Sequence, residues 1–90
     1  MITLIKCGSK AVGGDTSTVT ITFSSDAENE TAPVAFPTGY TVVVVGVPDW
    51  ATSVRISTAP TATAVTFTFG TATGTSGGIV DWIAIGYKLT

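Results

Sequence analysis

Residues 77–90 read "GGIVDWIAIGYKLT". In an extended strand successive side chains point to opposite faces. Period two therefore puts Ile79, Asp81, Ile83, Ile85, Tyr87 and Leu89 on one side and Val80, Trp82, Ala84 and Gly86 on the other. Neither side is a solvent face, so a strand of this composition needs cover on both. A chain of 90 residues buries only roughly two-thirds of the surface its unfolded form exposes. The second layer of cover is therefore expected from neighbouring copies.

The rest of the chain supports an all-β reading. The composition is 44% hydrophobic and 11% charged, against a usual charged share of about 25%, so hydroxyls must carry much of the solubility. Threonine supplies 18 of the 90 residues. Thr and Val are both β-branched, fit a pleated surface and resist helix formation. Six short segments with strand character lie between turn signals, the pattern of a sandwich or small barrel. The first covers residues 2 to 7 and is closed by Gly8 and the loop around Gly13, Gly14 and Asp15. The second, "TVTITFS" (18–24), alternates with Val19, Ile21 and Phe23 inward and Thr18, Thr20 and Thr22 outward. The polar stretch "SSDAENETA" then leads to Pro33 and Pro37, and proline, lacking an amide donor, marks this part as a loop or sheet edge. "GYTVVVVGV" (39–47) is continuously apolar and predicts a strand covered on both sides, ended by Pro48 and Asp49. "SVRIST", "AVTFTFG" and the closing strand complete the set, and no stretch carries a helical period. The chain, 1–90, reads as a single domain.

Most chemistries are excluded by what is missing. There is no histidine, hence no usual base near neutral pH and no common zinc ligand. Cys7 is the lone cysteine and reads as a small half-buried residue of an edge strand rather than a nucleophile. The glycines at 70, 74, 77 and 78 lack the following lysine and helix of a phosphate cradle. Asp26, Glu28 and Glu30 alternate in "SDAENE" and could offer oxygens to calcium, but a charge run in a polar loop is ordinarily solvated. "Asn29-Glu30-Thr31" matches a glycosylation acceptor pattern, but with no signal peptide read at the start the match is taken as accidental. The start, "MITLIKCGSK", carries no basic region before its short apolar stretch and reads as neither signal peptide nor anchor. No apolar run approaches the ~20 residues that span a bilayer. With a net charge of −2 and four dispersed basic residues, nucleic acid and membrane surfaces are not expected partners. No enzyme, cofactor or metal site is expected.

Three residues stand apart. Asp81 lies within an apolar strand and must reach a cation, amide donors or water; Arg55, the sole arginine, is one candidate and exposure at the strand's start the other. Trp50 and Trp82 are sugar-stacking platforms if exposed and core or interface filler if not. Trp82, inside the last strand, reads as buried.

The order of features resembles the H-type lectin domain, the small sandwich of snail agglutinins and of the C-terminal part of discoidins, with relatives in phage tail-fibre and other virion proteins. "VTITFSS" followed by "FPTGYTVVV", then "SVRIS", "AVTFTF" and "VDWIAIGY", carry the resemblance from about Lys6 to Tyr87. It implies a six-stranded antiparallel β-sandwich assembled as a homotrimer, with sugars bound between protomers. By position, Gly14 and Asp15 match the loop whose carboxylate accepts hydrogen bonds from sugar hydroxyls, and Arg55 matches an arginine that reaches the sugar. Trp50 is a further candidate ligand contact. The aromatic and histidine contacts expected after "AVTFTF" have no counterpart, since Gly70, Thr71 and Ala72 stand there. Trp82, Ala84 and Gly86 are the expected contacts between protomers. The resemblance thus implies a non-enzymatic virion protein, made in the host cytoplasm, that binds other virion proteins and a host surface glycan. The alternative is a capsid decoration protein without sugar binding.

Overall fold

The computed structural model describes residues 2–89. The order is β1 (Ile2–Val12), β2 (Thr18–Thr22), α1 (Phe23–Asp26), β3 (Thr41–Pro48), β4 (Val54–Thr58), β5 (Ala64–Phe69) and β6 (Gly78–Lys88). The six strands form two three-stranded antiparallel sheets, β1-β6-β3 and β2-β5-β4. The closing strand is central in the first sheet. It pairs Ile2 with Lys88 through Val12 with Gly78 on one side, and Thr41 with Tyr87 through Pro48 with Val80 on the other.

Alternation along each strand separates a buried side from an exposed one. Val80, Trp82, Ala84 and Gly86 of β6 and Val44 of β3 join Ile21, Val65, Phe67 and Phe69 of the other sheet in the core. Gly46 lies against Phe67 so closely that a Cβ would come within 2.8 Å of its ring. Outside the core, the two exteriors differ sharply. The outer face of β2-β5-β4 is lined by Thr18, Thr20, Thr66, Thr68 and Arg55, and Thr20 and Thr66 share a hydroxyl hydrogen bond of 3.0 Å. The outer face of β1-β6-β3 is apolar, with the rows Ile5–Ile85–Val43 and Cys7–Ile83–Val45.

Several elements differ from the sequence expectation. β1 does not stop at Gly8 but continues to Val12. Gly8 stays inside the strand because the Asp26 carbonyl passes where a Cβ would stand, 2.7 Å away. Phe23 is buried as expected, yet it opens a single helical turn. Its amide makes a last ladder bond to Thr63 O (2.9 Å), and the Asp26 carboxylate accepts from Thr22 N (2.8 Å), curling the chain. β3 is covered on its inner side alone within the protomer; Val43, Val45 and Val47 are 52%, 56% and 60% exposed.

The segment that starts at Asp26, the last residue of α1, forms a strap that closes one side of the molecule by running along the free edge of β1. Glu28 N donates to Cys7 O (2.8 Å), Asn29 Oδ1 accepts from Cys7 N (3.0 Å), Asn29 Nδ2 donates to Ile5 O (3.0 Å), and the Glu28 carboxylate accepts from Ser9 N. Two inward lysines of β1 are neutralised by the same strap: Lys6 meets Glu30 at 2.7 Å and Lys10 meets Asp26 at 2.9 Å. Lys6 is 2% exposed, and its ammonium also lies 5.1 Å from the centroid of the Phe36 ring. Phe36 packs edge-on to Phe23 (5.1 Å), its amide bonds to Ala62 O (2.9 Å), and Gly86 gives its ring room where a methyl would collide. A turn follows in which Tyr40 N donates to Pro37 O across Gly39, whose φ of 90° suits glycine.

Trp82 is 3% exposed, with its ring 5.8 Å from that of Phe23. Its indole nitrogen is buried with no partner among the described residues. Trp82→Ala is expected to lower stability by about 3–5 kcal/mol, the usual effect of emptying a buried aromatic site, read as a lower urea midpoint. Trp82→Phe, which also removes the unpaired N–H, is expected to lose much less in the same titration.

Candidate functional site

At one end of the molecule the loop after β1 and the loop before β6 are locked together around Thr73, which is buried. Its hydroxyl donates to Gly13 O (2.6 Å) and accepts from Thr16 N (3.0 Å), while Thr73 N donates to Thr16 O (2.9 Å). Asp15 N donates to Gly74 O (3.1 Å) and Gly77 N to the same carbonyl (3.0 Å). Gly14 packs against the Thr75 carbonyl with no space for a Cβ. Asp15 sits in the left-handed region at φ 52°, a conformation that asparagine and aspartate tolerate better than bulkier residues. The glycine-rich stretch before β6 is thus tied down by four specific backbone and hydroxyl bonds to residues 13–16.

This geometry presents the Asp15 side chain outward. No hydrogen bond or ion pair engages its carboxylate among the described residues, so the oxygens are open to donors from outside. Arg55 is also exposed and unpaired among the described residues, on the outer face of β4 in a row with Thr68 and Thr18. Two strand spacings, about 10 Å, separate Arg55 from β2, and no salt bridge joins it to Asp15. Trp50 lies at the same end but is half-buried. Its ring meets Phe69 edge-on at 4.6 Å, Gly78 lies under it, and Nε1 donates to Thr71 O at 2.9 Å. Its N–H and part of its ring surface are therefore already engaged inside the protomer.

The structure brings Gly14, Asp15 and Trp50 to one end and leaves Arg55 on an adjoining face. It places Trp82, Ala84 and Gly86 on the inner side of β6, within the core of their own protomer. The side of β6 that a neighbour can touch carries Ile79, Ile83 and Ile85. Asp81 also lies on that outer side, where it accepts a short hydrogen bond from Ser9 Oγ directly across the β1–β6 pair. Arg55, in the other sheet, is not its partner. A shallow depression of about 460 Å³ surrounds this pair, lined by Cys7, Gly8, Ser9, Glu28, Asn29 and Asp81.

Sequence reading did not foresee the use of "SDAENE" as a strap. The signal was present in the alternation of acids with Asn29, but nothing local tells which strand edge they address. Among the described residues no group of three or more His, Cys, Asp or Glu side chains could hold a metal ion.

The structure thus defines an all-β module whose exposed chemistry is suited to contacts: a polar loop end, a hydroxyl face and an apolar face. It belongs to the family described as "Putative tail fiber protein gp53-like, C-terminal", whose model matches residues 3–87. This makes it a phage virion protein of the fibre type, and the family points to a structural role. No curated protein and no solved structure gives a significant match.

Removing the hydroxyl that joins the two loops tests how the end is held. Thr73→Val is expected to lower stability by about 1–3 kcal/mol by leaving the Gly13 carbonyl and Thr16 amide unpaired. The accompanying sign is faster hydrogen exchange at Thr16 and Asp15, with the amides of β6 unchanged.

Proposed function

We propose that the protein is the carbohydrate- or host-receptor-binding module of a phage tail fibre, working as a homotrimer of H-type-lectin-like sandwiches. The observation that carries this reading is the outer face of β1-β6-β3. Ile5, Val43, Val45, Ile83 and Ile85 form adjoining rows there without a charge, all between 37% and 56% exposed. A contiguous apolar patch of this kind on a small soluble protein marks an interaction surface. Three such faces turned toward a common axis would enclose an apolar core between protomers. The polar row Ser9–Asp81–Val47 bounds the patch. Interface contacts then come from Ile79, Ile83 and Ile85, the opposite side of β6 from Trp82, Ala84 and Gly86.

In this arrangement Asp15 supplies a carboxylate that accepts hydrogen bonds from sugar hydroxyls, its backbone fixed by Gly14 and the Gly74 carbonyl. Arg55 supplies donors from the adjoining face, and Trp50 shapes the floor rather than stacking freely. The free state of both charged groups supports the reading: each would gain charge-assisted hydrogen bonds without breaking an existing pair. Other virion proteins are partners at the attached end of the fibre.

Two measurements test the two halves separately. Native mass spectrometry is expected to show copies in multiples of three, and Ile83→Lys to abolish that threefold association while the circular dichroism stays that of a folded β protein. On a glycan array the wild-type assembly is expected to bind, and Asp15→Ala to lose binding with assembly intact. An intact threefold assembly that binds no glycan would favour a purely structural, decoration-like role.

A further inference from the structure

The two edges of the β1-β6-β3 sheet are not equally protected. Asp49 N donates to Ile79 O at 3.0 Å, which fixes the phase of the β3–β6 ladder. In an antiparallel pair alternate residues bond to the same neighbour. Val43, Val45 and Val47 therefore bond to β6, and Val42, Val44 and Gly46 turn both N–H and C=O to the free edge. Pro48 falls in the outward phase, where its missing N–H breaks no ladder bond. Among the outward groups of β1 the strap engages Ile5 O, Cys7 N and O, and Ser9 N. β4 is short and interrupted by an irregularity between Ile56 and Thr58. On β3 no hydrogen bond reaches the outward groups among the described residues. Beside them opens a cleft of about 310 Å³ lined by Val44, Val45, Gly46, Val54, Ile56 and Phe67, with Arg55 its sole charged lining residue.

A long apolar edge of this kind is a template for another strand, and the distribution of charge selects the strand. We propose that β3 pairs antiparallel with β3 of a second copy about a twofold axis at Val44. In that register Val44 faces its own counterpart and Val42 faces Gly46 of the second copy, so the three outward residues of each chain exchange about six backbone hydrogen bonds. On the outer face Val43 comes beside Val45 of the second copy, a β-branched cross-strand pair. Residues 40–48 carry no charge, so no like charges meet within the paired strands themselves, and Arg55 of each copy, in the cleft beside Val44 and Val45, is the one charged residue flanking the joint. The acids of the strap, Asp26, Glu28 and Glu30, line the opposite edge of the same sheet, and the twofold keeps the two sets at the far ends of a continuous six-stranded sheet. The joined edges also cover Ile56, which is 40% exposed in the single chain.

This contact uses the edge of β3 and is independent of the threefold contact through the outer face. A closed assembly with both has dihedral symmetry and six copies. Native mass spectrometry and sedimentation are expected to show an even number of copies. Val42→Pro removes one outward N–H at a position where β3 keeps its bonds to β6, and is expected to halve the mass with the denaturation midpoint retained. Residue-resolved hydrogen exchange on the wild type gives a readout that does not depend on a variant. The Val42, Val44 and Gly46 amides are expected to be protected like those of Val43 and Val45 at high concentration, and to lose that protection alone on dilution. An odd copy number, an unchanged mass for folded Val42→Pro, or free exchange of these amides at every concentration would overturn the twofold pairing. Ile83→Lys separates the two contacts: it removes the threefold while the three edge amides stay protected.

Discussion

The structure depends on β6 being paired along both edges. Eleven of its residues stand in register with β1 on one side and eight with β3 on the other, so the last part of the chain holds together strands from earlier in the sequence. The inner side of β6 then organises the core. Trp82 fills the centre beside Phe23, Ala84 lies opposite the buried Lys6 in the β1 register, and Gly86 admits the Phe36 ring. Each of these three residues has the size its place allows. A larger residue at 86 would collide with the Phe36 ring and push that part of the connection between β2 and β3 off the sheet.

Low charge makes the placing of the few ionic groups consequential. Of the six acids, three lie in the strap, and all three contact β1. Two of them neutralise lysines that alternation turns inward, and the third takes a backbone amide that would otherwise recruit a foreign strand. Asp49 accepts from Ile79 N at 2.8 Å and ends β3, and Asp81 is held by Ser9. Asp15 alone among the acids has its carboxylate free in the described residues. The economy of charge explains the contrast between surfaces: a hydroxyl face that water wets, an apolar face that it does not, and one end where a carboxylate and a guanidinium remain available.

Membership in a tail-fibre family gives these surfaces a setting. Fibre modules act at the boundary between a particle and its target and must be both attached and exposed. Under the proposed function an apolar face and an open edge would serve attachment and copy-to-copy contact, whereas the tied-down loop pair around Thr73 would offer a rigid polar end for recognition. The hydrogen bonds of Thr73, Asp15 and Gly74 matter here because a loop already ordered loses less entropy on meeting a ligand.

The sequence by itself determined the six strands, the facing of β2 and β5 and the absence of histidine-based chemistry, because alternation and β-branching are local properties that each segment carries with it. Period two correctly turned Ile21, Phe67 and Phe69 inward, and the prolines at 33 and 37 correctly kept their segment out of the sheets, whereas Trp82, Ala84 and Gly86, expected between protomers, lie in the core instead. Only the tertiary structure decided which strand lies beside which, and hence which apolar side of β6 is left for a neighbour. Both sides look alike in the sequence, but the larger Trp82 and the small Ala84 and Gly86 complement Phe23 and Phe36, which arrive from residues 46 or more positions away. The same holds for Asp81 and for "SDAENE": a carboxylate's need for a partner is legible locally, whereas Ser9, Cys7 and the two lysines become its neighbours only when β1 and β6 pair and the strap is laid along their edge.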